Sequence, residues 1–151
     1  MSMIHKFGPI VARVLLGLPF VVFGLNGFLQ FIPLPPYEGA AGTFMGGLAA
    51  AGYFFPLLKA TEIVVGVSLL SGRFVPLALT VLAPITLNIF AFHAVTAGAG
   101  IGLPIFLLAL QFYLAWAYRD SFRALLNVNA KPTHPAAKAA AIEAKAQASS
   151  V

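Results

Sequence analysis

The chain has 151 residues, enough for one domain; 60% are hydrophobic, 9% are charged, and the formal net charge is +5. Soluble domains run at about 45–50% apolar and about 25% charged, so this chain lacks the polar surface that water demands and reads as a membrane protein. With no cysteine, disulfides, thiolate catalysis, iron–sulfur clusters and cysteine-ligated zinc are excluded, and the scattered basic residues form no dense face for nucleic acid.

Four apolar segments follow one another, at about residues 9–32, 54–72, 74–97 and 102–118. Each has roughly the length that crosses about 30 Å of hydrocarbon as a helix. The first has a basic front but is too long for a signal sequence and lacks an Ala-x-Ala-like site, so it is expected to remain as a span. After it, PLPPYEG (33–39) reads as a rigid turn. Residues 43–52 read as a short helix capped by Thr43, re-entrant or flat at the interface, or else as an ordinary loop.

The second segment carries Lys59 and Glu62 three residues apart in KATEIVVG, with Gly66 one turn on, where a neighbouring helix could come close. The third carries Asn88 and His93, and the fourth Gln111. Beyond Tyr118, RDSFRALLNV reads as an amphipathic continuation of the last helix. Residues 127–151 read as a basic, Ala-rich, disordered cytoplasmic tail. The expected organisation is therefore residues 1–126 as a transmembrane part and 127–151 as a tail.

Basic residues set the orientation. Lys6, Arg73 and the tail lysines and arginines fall on one side, while 33–53 holds no basic residue and 98–101 no charge. The positive-inside rule then puts both termini in the cytoplasm. The expected fold class is an all-α membrane protein, a bundle of four transmembrane helices in the plasma membrane, the bacterial inner membrane.

Polar groups inside spans are costly and face the bundle interior or a site. Measured at about 1.5 Å per residue from the outer end, Asn26, Lys59, Glu62, Asn88, His93 and Gln111 all fall in the outer half. They are the candidate ligand or proton-site residues, with Tyr53, Phe54, Phe55 and Phe92 as candidate pocket lining. Each also has a plainer reading: Lys59 and Glu62 as a structural ion pair, Asn26, Asn88 and Gln111 as hydrogen bonds between helices, His93 as a packed histidine. No catalytic residue and no metal ligand set is assigned.

RVLLGLPFVVFGLNGF (13–28), the block from 44 to 93 and LQFYLAWAYRDSFRALL (110–126) together resemble the DoxX family of small four-helix membrane proteins. The weight is carried by Lys59 and Glu62, the Glu62-to-Gly66 spacing, the Gly72–Arg73 turn and the spacing of Asn88 and His93. Many members have a lysine where this chain has Asn26, so a role resting on that lysine does not carry over. The resemblance implies a four-helix bundle with both ends cytoplasmic. Its functions are diverse: some members resemble a thiosulfate:quinone oxidoreductase subunit, others join oxidative-stress complexes.

Three functions follow as expectations. The first is a quinone-binding subunit of a membrane redox complex, with no intrinsic cofactor, quinone as ligand and a partner redox protein to carry electrons. As an enzyme it would be an accessory quinone-linked oxidoreductase subunit. The alternative is a non-enzymatic protein that binds a lipid or small amphiphile, or assists membrane-protein assembly. The third is a small transporter, which would need a homo-oligomer because four spans are few and no inverted repeat is evident.

Overall fold

The computed structural model describes residues 3–98, 100–130 and 147–148. Those residues are helical or irregular, with no strand among them. The helices are α1 (Met3–Leu29), α2 (Gly39–Ala50), α3 (Phe54–Ser71), α4 (Val75–Ala91), α5 (Gly102–Ala117) and α6 (Arg119–Phe122). A π-helical segment, Phe92–Ala97, continues α4 without a break. Three runs are long and apolar enough to cross a membrane: Phe7–Leu29, Phe54–Ser71 and Val75–Ala97. The fourth, Gly102–Ala117, has 16 residues, about 24 Å of helix, and falls short of the others.

Several boundaries differ from the sequence reading. α1 begins at Met3 and carries Pro9 and Pro19 inside it; a proline removes one backbone donor, and the remaining ladder holds the helix together. α2 begins at Gly39, after Glu38, so Thr43 is not its cap. Instead the Thr43 hydroxyl donates to the Gly39 carbonyl at 3.1 Å, one turn back. The last span does not run on through 119–128. It leaves helical geometry at Tyr118. There Arg119 turns back, donates to the Trp116 carbonyl at 3.2 Å and lies over the indole at 4.9 Å. The guanidinium thus takes a carbonyl that a continuing helix would have used.

The residues up to Arg119 form one compact unit. In it α1 packs along α3 and also on α5, α4 packs on α3 and α5, and α2 packs on the π-helical segment. Leu16, Leu69, Leu82 and Leu114, one from each long helix, have no exposed surface. The outward faces are just as apolar, with Leu57, Val64, Leu77 and Phe112 all more than 60% exposed. In lipid such faces would gain nothing by pairing, and close packing and hydrogen bonds would have to hold the helices together.

The α1–α3 contact shows how that packing is achieved. A Cβ at Gly66 would lie 2.7 Å from Val21 Cγ2 and 2.9 Å from the Gly17 carbonyl. One at Gly17 would lie 2.9 Å from the Gly66 carbonyl. The two backbones touch because neither residue has a side chain, which is the close approach expected at Gly66. α3 then ends in a Schellman motif. Gly72 (φ 72°) donates to Leu69 and Arg73 donates to Ser68, each at 3.2 Å, and the left-handed position is one that glycine fills without strain.

The unit from Asp120 onward contains most of α6, an exposed Asp120–Arg123 pair at 3.4 Å and turns through Ala130. The expected disordered tail falls mostly on residues 131–146 and 149–151, which lie outside the described residues.

Candidate functional site

Lys59 and Glu62 share a face of α3, and the Lys59 ammonium donates to Glu62 Oε2 at 2.8 Å. The glutamate side chain is 4% exposed and the lysine 23%. The Lys59 stem is received across the interface with α1. The Lys59 stem runs over Gly27 of α1, where a Cβ would collide with Lys59 Cγ and sit 2.8 Å from Cδ. Glycine at 27 opens the channel that the stem fills. Gly24 does the same one turn down, against the Lys59 carbonyl and Ile63. The two charges cancel, so α3 holds a salt bridge with no net charge.

Asn26, beside Gly27, is buried. Its Nδ2 donates to the Ile32 carbonyl at 3.1 Å, and its Oδ1 accepts the Ile32 N–H at 2.6 Å. The amide therefore holds both backbone groups of one residue, and fixes the chain as it leaves α1 through Gln30 (φ 52°). Gln111 is also buried. Its Nε2 donates across to the Leu79 carbonyl of α4 at 3.1 Å, while its Oε1 is buried with no partner among the described residues. Leu79 is the fifth residue of α4, so this bond reaches toward the Arg73 end of that helix.

His93 sits in the π-helical segment, half-buried. Its Nδ1 lies 2.9 Å from the Ile89 carbonyl. A carbonyl only accepts, so Nδ1 carries the hydrogen and the neutral ring leaves Nε2 as an acceptor. The ring meets Phe92 edge-to-face at 5.3 Å. Phe92 in turn contacts Tyr37 at 5.1 Å and Phe44 at 5.7 Å. An aromatic group thus joins the 33–38 connection, α2 and the end of the α4 run.

The candidates therefore do not form one constellation in the described contacts. Lys59 and Glu62 come together; Asn26, His93 and Gln111 each bond a different backbone group; Asn88 is exposed, and its side-chain amide has no hydrogen bond from a described residue. The aromatics divide likewise. Phe54 and Phe55 pair with each other at 5.6 Å, Tyr53 is 69% exposed, and Phe92 belongs to the His93 group.

An open groove of about 290 Å³ runs between α3 and α4, lined by Thr61, Val64, Ser68, Phe74, Leu77 and Val81 among others. Both its hydroxyls are turned to helix carbonyls one turn back, Thr61 to Leu57 and Ser68 to Val64, each at 2.9 Å. The groove therefore presents an apolar surface.

Comparison with protein-family models, with curated proteins and with solved structures gave no match. The site has to be judged on its own chemistry. Sequence reasoning missed Tyr37 and Phe44 as partners of Phe92. The rigid PLPPY turn was the available signal, since it commits Tyr37 to fold back beside the bundle. Nothing in the local pattern announces the π-helical turn, a feature that recurs at functional sites.

Proposed function

We propose that this chain is an integral membrane protein of the DoxX type, its four helices crossing the bilayer with both termini cytoplasmic. In this reading it holds a small aromatic amphiphile, of which a quinone is the first case, beside His93. The observation that carries the reading is the His93 imidazole. One nitrogen is bonded to Ile89, the other would be an acceptor in the neutral tautomer, and the ring is set edge-on in a group with Phe92, Tyr37 and Phe44. A quinol hydroxyl could donate to Nε2, and its ring could stack in the aromatic group. The chain has no cysteine, so electrons would pass to a partner protein. The Lys59–Glu62 pair then has a structural role, holding α1 and α3 in register.

The test uses the full chain in lipid nanodiscs, titrated with a short-chain ubiquinol and read by native mass spectrometry. The expected result is saturable binding, weakened about tenfold or more by His93→Ala, the scale of one lost hydrogen bond with its packing. Absence of saturable binding sinks the quinone reading, and retention of phospholipid in its place favours the amphiphile alternative. Carbonate extraction and reporters fused to each terminus test the membrane reading and the orientation separately. A role in membrane-protein assembly is the second reading, and the exposed amide of Asn88 favours it.

A further inference from the structure

Asn88 is a polar side chain on an outward face of a long apolar helix. It is exposed and no described residue bonds it. It stands roughly 20 Å from the start of the run at Val75 and roughly 13 Å from its end at Ala97. On the membrane reading, which this inference rests on, that depth is hydrocarbon. Water is scarce there and lipid headgroups do not reach it. An amide with two donors and an acceptor is costly in such a place unless another protein group meets it.

The exposed residues around Asn88 form a seam. Leu77, Val81, Pro84, Asn88, Ala91 and Val95 are all exposed. From Leu77 to Ala91 they alternate at four- and three-residue spacing, the repeat by which two parallel helices wind together, and Val95 lies in the π-helical segment that follows. A single asparagine in such a seam sets register and partner number. At its lower end the seam borders the α3–α4 groove, to which Leu77 and Val81 also belong, so side chains of a partner helix have a recess to enter.

We infer that the α4 face is a symmetric interface with a second copy of this chain, centred on an Asn88–Asn88 hydrogen-bonded pair. The membrane itself argues for a second copy as the occupant. Two identical chains inserted in the same orientation that close as a symmetric pair are related by a two-fold axis along the membrane normal. Each group on the interface then meets a group at its own depth, and beside the axis it meets itself. Asparagine is self-complementary, since its NH₂ donates to the facing carbonyl while its carbonyl accepts the facing NH₂. A foreign partner would need a polar group independently placed at that depth.

The natural absence of cysteine makes the test direct. Single-cysteine variants Ala91→Cys and Val95→Cys probe the seam, and Phe112→Cys, on an exposed face of α5, is the control. Native membranes are first washed with carbonate, then oxidised, and dimers are scored on a non-reducing gel. The expected result is a dimer of twice the chain mass from the seam positions and little from Phe112→Cys. Asn88→Leu placed behind Ala91→Cys should weaken dimerisation roughly 3- to 20-fold, the span of measured interhelical hydrogen bonds in membranes. Asn88→Gln should keep most of it.

Equal cross-linking from all positions, cross-links only to proteins of other mass, or no effect of Asn88→Leu would each overturn the interface. The seam cysteines test it without altering Asn88, so a folding defect in Asn88→Leu cannot mask the answer. Recovery of the chain in the carbonate supernatant would instead overturn the membrane reading beneath it.

Discussion

Lys59→Met isolates the contribution of the buried ion pair. The replacement keeps an unbranched stem over Gly27 and removes only the ammonium. Glu62, its side chain 4% exposed, is left with no cation at the 2.8 Å position. Removing one partner of a buried pair costs about 3–5 kcal/mol, because the remaining charge has lost both water and its counter-ion. Glu62→Gln should be milder, about 1–3 kcal/mol. It leaves a lysine that is already 23% exposed and close enough to the start of α3 to carry its charge outward along its stem. The double variant Lys59→Met/Glu62→Met removes both charges and should recover to within about 1 kcal/mol of the parent. Unfolding by SDS in mixed micelles, followed through Trp116, the one tryptophan of the chain, gives the three free energies. Equal losses for Lys59→Met and Glu62→Gln, or a double variant as unstable as Lys59→Met, would refute the reasoning.

Two glycine substitutions should move stability in opposite directions. Gly66→Ala drives a methyl onto the Gly17 carbonyl and the Val21 backbone and should cost about 1–3 kcal/mol, whereas Gly46→Ala, mid-helix with nothing within 4 Å, should add roughly 0.5–1 kcal/mol; the same SDS titration reads both. Asn26→Leu strips Ile32 of both its bonds and should cost about 1–3 kcal/mol, with faster hydrogen exchange confined to about residues 30–38. Gln111→Leu gives up one bond to Leu79 but also removes a buried acceptor that has no partner among the described residues, so it should fall within about 1 kcal/mol of the parent. A large loss there would mean that Oε1 has a partner such as a bound molecule.

What the sequence disclosed was what lies along a single helix. Lys59 and Glu62 are three residues apart, and that spacing alone brings them together once the helix forms. Gly66 disclosed a close approach because a residue without a side chain has few other uses at that place. Groups whose partners lie elsewhere in the chain were not readable. Asn26 bonds a peptide six residues ahead, past the end of its helix, and no periodicity reports where a loop returns. Gln111 lies well along α5, and nothing in its own helix reports that its partner is a carbonyl near the start of α4. Phe92 is grouped by residue type with Tyr53, Phe54 and Phe55 as pocket lining, while the rigid turn and α2 bring Tyr37 and Phe44 to it.

On the membrane reading, the ion pair also bears on how the chain would enter the bilayer. A span with one charged residue near its centre meets a penalty of about 2.5–3.5 kcal/mol at insertion, and α3 carries two. Were the partners on different helices, α3 would have to wait in the translocon until the other helix arrived. Here both are on one turn of one helix, 2.8 Å apart, so neutralisation is complete as soon as that turn closes. α3 can leave for lipid as a self-contained segment and find α1 afterwards, with the Lys59 stem already lying where Gly27 will receive it. Moving the lysine to a facing position on α1 could keep the folded contact and still lose this order of events.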